Sequence, residues 1–149
     1  MGLLLATLSA FSAPVRVGDP VPSITAQDQR GLDFHVTTNL QFLLVVNEMT
    51  VAKAANVKLA ALGAGYLETN HAAYLMDIHA MPGIARLFAF PKLRKYPQRI
   101  VLVERAEMLA AIPFQPGCVT VLRLDAAERV ATISFWNPAT APMHPLFAP

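Results

Sequence analysis

The chain has 149 residues, 54% hydrophobic and 15% charged, with a formal net charge of +2. That length and composition suit one domain with a sizeable core and exclude a disordered chain. The net charge is too small to imply a nucleic-acid partner, and none is expected: the one basic cluster, Lys92, Arg94 and Lys95, sits among apolar neighbours and reads as a solvated helix face. A single cysteine, Cys118, excludes an internal disulfide, a Cys-x-x-Cys redox pair and a multi-cysteine zinc site. By itself Cys118 reads as a small buried hydrophobe.

Residues 2–13 carry no charge and end in small side chains, the length of a signal-peptide apolar region and too short to span a bilayer. A basic start to that segment is missing. The expectation is export, to the periplasm or the outside, with residues 1–13 a signal peptide or its remnant; if the segment is no signal, the protein is cytoplasmic. No later stretch reaches membrane-spanning length, so no stable span is expected in the mature chain.

Residues 14–22 hold three prolines in nine positions and read as an extended lead-in. Residues 23–26 and 33–36 read as two strands of a hairpin, with Gly31 in the turn able to take a positive φ. The apolar, valine-rich run 42–46 reads as a buried strand. A polar break, Asn47-Glu48-Met49-Thr50, follows, and then Val51, Ala55, Leu59 and Leu62 recur at helical spacing. Strand, short loop and helix make half of a βαβ unit, and in open α/β sheets ligands gather at that loop. Residues 63–65, Gly-Ala-Gly, stop the helix.

Residues 72–78 read as a second buried strand, parallel to the first because a helical crossover joins them. Residues 84–90 start a helix that Pro91 must kink or restart. Residues 99–103 are a third strand, and 105–112 form one or two helical turns. Residues 119–124 and 130–136 make a second hairpin around residues 125–129. Residues 137–149 hold four prolines in thirteen positions, which rules out a helix and predicts a tail that covers an edge or docks elsewhere. The predicted architecture is α/β: a central mixed sheet flanked by helices, with an N-terminal hairpin, over residues 14–136.

This order and several motifs resemble the thioredoxin-like superfamily, in particular its peroxiredoxin and TlpA-like branch. The motifs are Val17-Gly18-Asp19-Pro20-Val21-Pro22, then Asp28-Gln29-Arg30-Gly31, then Tyr96-Pro97 before a strand, and a last strand, Asp125 and turn. Within the superfamily the chain is similar to the uncharacterised periplasmic YtfJ family. That likeness rests on Thr50-Val51-Ala52-Lys53-Ala54-Ala55-Asn56, Pro82-Gly83 and Leu93-Arg94-Lys95-Tyr96-Pro97. The resemblance implies a secreted thioredoxin-like domain without an established activity. By count from the strand end, Ala52 and Ala55 fall where a thioredoxin keeps its two cysteines, and alanine cannot form a thiolate. Val119 falls at the position of the superfamily's cis-proline, with Cys118 beside it.

The residues left as candidates are few. Thr50 reads as the helix N-cap and Glu48 as a carboxylate favouring the helix dipole, or as an acid or base on a small ligand. Lys53 belongs to the same helix start and counts as a binding candidate. Asp77 and His79, at i and i+2, are expected on one strand face as a binding pair. Two ligands do not make a zinc site, and neither a metal nor a cofactor is expected. His35, His71 and His144 are scattered. Three functions remain open: a redox-inactive domain binding a protein or small molecule, a single-cysteine thiol oxidoreductase or peroxidase using Cys118, and a structural or assembly subunit.

Overall fold

In the computed structural model, which describes residues 12–143 and Phe147, seven strands form one mixed sheet. The strands are β1 (Thr25–Asp28), β2 (Asp33–His35), β3 (Phe42–Val46), β4 (Ala72–Asp77), β5 (Val101–Val103), β6 (Val119–Leu124) and β7 (Val130–Trp136). Their order across the sheet is β2-β1-β5-β4-β3-β6-β7, with β3, β4 and β5 parallel and the outer pairs antiparallel. The helices are α1 (Met49–Ala61), α2 (Tyr66–Thr69), α3 (Gly83–Leu93) and α4 (Ala106–Leu109).

All five residues of β3 are buried because the strand lies at the middle of a sheet covered on both faces. Alternation sends Phe42, Leu44 and Val46 into one core cluster and Leu43 and Val45 into the other. The crossovers β3–α1–β4 and β4–α3–β5 step across the sheet in one direction, so both place their helices on the same face. Val51, Ala52, Ala55 and Leu59 of α1, Leu67 of α2 and Leu93 of α3 fill that cluster. Leu109 of α4, Ile112 and Val15 of the lead-in fill the opposite one.

The turn chemistry explains two of the motifs. One Asp28 oxygen accepts the N–H groups of Arg30 (2.8 Å) and Leu32 (3.0 Å), and the other meets Nε of Arg99 at 2.9 Å. Asp28 thus closes the first hairpin and ties it to the start of β5, with Gly31 at φ 81°. Burial pushes its carboxyl pKa up. The two N–H donors and the guanidinium outweigh that and hold it below the ordinary value. Asp125 repeats the device in the second hairpin, accepting from the N–H groups of Ala127 and Arg129. The lead-in is pinned as well: Gly18 N–H donates to the Val130 carbonyl at 2.7 Å, and Val130 N–H to that of Asp19 at 2.9 Å.

Several expected boundaries shift. The first strand runs Thr25–Asp28, later than expected, because its register is set by pairing with both β2 and β5. β5 keeps only Val101–Val103, since Arg99 and Ile100 are engaged with Asp28 and Gln29 before the ladder begins. Helix α2 was not expected. Helix α3 continues through Pro91 to Leu93 instead of restarting there; the proline removes one N–H bond near the C-terminus, where few intrahelical bonds are at stake.

The tail docks on the α1 face. Indole Nε1 of Trp136 donates to the Ala141 carbonyl at 3.0 Å, and Nζ of Lys58 donates to the same oxygen at 3.1 Å. Met143 is buried in the first cluster, and the Phe147 ring lies 4.7 Å from that of Phe42, edge-on. The expected signal segment lies outside the described residues apart from Ser12 and Ala13, as does His144.

Candidate functional site

The junction of β3 and α1 stands at the carboxyl end of the sheet, beside the loop that leads into β6. Helix α1 begins at Met49 with Glu48 as its N-cap, not Thr50 as expected. Glu48 makes no side-chain cap bond. Its Oε2 instead accepts the backbone N–H of Gly117 at 2.7 Å, across the strand pair. The register explains the partner: β3 and β6 pair with Val45 opposite Thr120, and continuing that ladder sets Glu48 opposite Gly117. Gly117 sits at φ 77°, a conformation that a side chain would strain. Thr50 is left exposed in the first helical turn, with Lys53 exposed one turn on.

Cys118 follows Gly117 directly. It is 8% exposed, and Nε2 of Gln115 approaches its Sγ at 3.5 Å. The Thr120 hydroxyl donates to the Pro113 carbonyl at 2.6 Å, which fixes the loop from its other side. Val119, at the cis-proline position of the resemblance, opens β6, and no cis peptide bond occurs among the described residues.

On the other flank, Asp77 is the last residue of β4 and His79 lies beyond the strand, so the two do not share a strand face as expected. The chain turns back instead. Oδ1 of Asp77 accepts the His79 N–H at 3.0 Å and pairs with its Nδ1 at 2.7 Å, while Oδ2 accepts Nδ2 of Asn47 at 3.2 Å. The carboxylate is engaged on both oxygens. Among the described residues no group of three His, Cys, Asp or Glu side chains is placed to hold a metal ion.

Glu48, Cys118, Asp77 and His79 therefore fall along one line across the ends of β6, β3 and β4, with Asn47 between the two halves. Sequence reasoning missed Asn47 and Gly117. Asn47 stood in the polar break and Gly117 in a turn, and neither has a local partner that marks it. Ala52 and Ala55 are packed in the core at 1% and 0% exposure, one turn deeper than a helix-terminal thiolate sits. The residues at the actual helix start are Glu48, Met49, Thr50 and Val51, again without a thiol. Asn56, which closes that run, is also buried, and its carbonyl accepts Nε2 of Gln98.

Two clefts lie elsewhere. One of about 760 Å³ runs between the first hairpin and α3, bordered by Gln27, Asp33, His35, Phe90 and Arg94. One of about 240 Å³ lies near Thr37, Glu68 and Arg99. Neither touches Glu48, Thr50, Lys53, Asp77, His79 or Cys118.

Sheet order, crossovers and the strand-to-helix junction define a thioredoxin-like fold. Solved structures of that fold superpose on the chain. A peroxiredoxin-like protein from Aquifex aeolicus matches with a TM-score of 0.58 at 12% identity, over 85% of this chain and 80% of that one. The thioredoxin domain of a thiol-disulfide oxidoreductase from Bacteroides vulgatus matches at 0.55 and 12%, over 89% and 94%. A thio-disulfide isomerase from Thermus thermophilus matches at 0.52 and 19%, over 81% and 87%. No protein-family model and no curated protein matches the sequence. At these identities the likeness is one of fold.

Proposed function

We propose that the chain is a redox-inactive thioredoxin-like domain of YtfJ type, exported from the cytoplasm, that acts by binding a protein or small-molecule partner at the carboxyl end of its sheet. One observation carries the reading: the helix start after β3 holds no thiol, and the Glu48 carboxylate at its N-cap position is bonded to Gly117 N–H. That bond ties the helix start to the β6 loop. His79, Thr50 and Lys53, all exposed, are the side chains that the edge offers a partner. No helix among the described residues is long and apolar enough to cross a membrane.

A second reading, thiol chemistry at Cys118, is favoured by the Gln115 amide donor at its sulfur. One experiment decides between them. Alkylation of native Cys118 with iodoacetamide across neutral to alkaline pH is expected to run at least ~100-fold slower than in denaturant, since burial slows an unactivated thiol. Insulin disulfide reduction is expected to stay at the uncatalysed rate. Fast native alkylation persisting below neutral pH would establish the thiol reading. Glu48→Ala, which frees Gly117 N–H, is expected to speed native alkylation of Cys118; an unchanged rate would show that the Glu48 bond does not restrain the loop.

A further inference from the structure

Helix α3 is the least covered of the longer helices. Of its eleven residues only Leu93 is buried, while Ile84, Leu87 and Phe88 are 73%, 73% and 71% exposed. The spacing i, i+3, i+4 sets the three on one face, and exposed Pro91 extends that face by another turn. The helix is held in this rotation from its other side. Nε of Arg86 donates to the Met81 carbonyl (3.1 Å), one Nη donates to that of Ile78 (3.1 Å), and the other lies 3.3 Å from Glu104. Single exposed apolar side chains are ordinary, but a contiguous stripe on a helix marks an interaction surface.

We infer that this stripe is the seam of a symmetric homodimer, two copies of α3 packing antiparallel about a two-fold axis between Leu87 and Phe88. Such a seam sets Leu87 against Phe88 of the second copy and Ile84 against its Pro91. Three features select a second copy as the occupant. The helix has no acidic residue, and its one mid-helix charge, Arg86, is turned away and engaged, so identical stripes meet without like charges. Lys92, Arg94 and Lys95 all lie at one end, and antiparallel pairing holds the two clusters apart where parallel pairing would stack them. The area also suffices. The three side chains offer on the order of 400 Å² per copy, and Pro91 with the Lys92 stem brings the pair near the roughly 1,000 Å² of a specific contact. The seam does not depend on what the carboxyl end of the sheet binds.

Sedimentation velocity of the full chain from low micromolar to submillimolar concentration tests this. The expected result is a monomer–dimer equilibrium whose Kd rises at least ~10-fold in Leu87→Glu and Phe88→Glu, and not in Val57→Glu on exposed α1. In a Cys118→Ser background, oxidised Phe88→Cys is expected to give a covalent dimer, and Val57→Cys none. The wild-type measurement and the cross-link stand whether or not the glutamate variants fold. A monomer at every concentration overturns the inference, as does a dimer indifferent to both α3 glutamates. So does a monomer that binds anionic lipid vesicles through this stripe.

Discussion

Trp136→Ala is expected to destabilise the protein by about 4 kcal/mol, within the range for truncating a buried aromatic side chain. Trp136 is 1% exposed at the end of β7 and packs in the same cluster as Phe42, Val119 and Met143. Its loss acts twice. The cavity removes contacts from residues around it, and the lost indole N–H leaves the Ala141 carbonyl with Lys58 alone to hold the tail. Against a total stability of about 5–15 kcal/mol, that leaves a marginal fold. Urea unfolding followed by far-ultraviolet circular dichroism measures it, since the variant has no tryptophan to report. Trp136→Phe keeps most of the packing and loses the hydrogen bond, at a cost of about 1–2 kcal/mol. A Trp136→Ala midpoint within error of the wild type would show that the tail is not docked.

Asp28→Ala is expected to cost about 3 kcal/mol. It removes the acceptor of two turn N–H groups and leaves Arg99 without its carboxylate. The figure sits at the low end for a broken buried pair because the Arg99 side chain is 37% exposed and can turn to water. Asp28→Asn keeps an acceptor for the turn and loses the charge, so its cost is smaller, about 1–2 kcal/mol. The pH dependence has a definite sign. The folded carboxyl titrates below its ordinary value of 3.8, so its contribution is fully present above that value and is lost as pH falls through the folded pKa. The gap in melting temperature between wild type and Asp28→Asn is therefore expected to be constant from neutral pH down to about pH 5 and to shrink in stronger acid. A gap that persists unchanged in strong acid would assign the cost to the turn and not to the charge.

What the sequence disclosed depended on whether a residue's partner was local. β3, β6 and β7 match their expected limits, because apolar runs bounded by turn residues carry their own signal. Asp28 and Gly31 were legible for the same reason: the turn they make spans five residues. The start of α1 was not. Thr50 is a better intrinsic N-cap than Glu48, but Glu48 has a backbone donor waiting in the loop before β6, a partner 69 residues away. Asp77 and His79 meet through a turn and not across a strand face, since alternation along a strand fails once the strand has ended. The alanines chosen by counting from the strand proved to be core. The strand end fixes where a loop starts, and the loop's own path fixes where the helix does.

The docked tail has a consequence for how the chain reaches its native state. Phe147 rests on Phe42, the first residue of the central strand, and on Tyr66 of α2. The first core cluster is therefore closed by contacts spanning roughly a hundred residues of sequence, the kind of long-range closure that slows folding. A folding intermediate in which Ala141, Met143 and Phe147 have not yet reached β3 and α1 leaves that cluster incompletely covered. Residues distant in sequence complete the core formed around the strand at its centre.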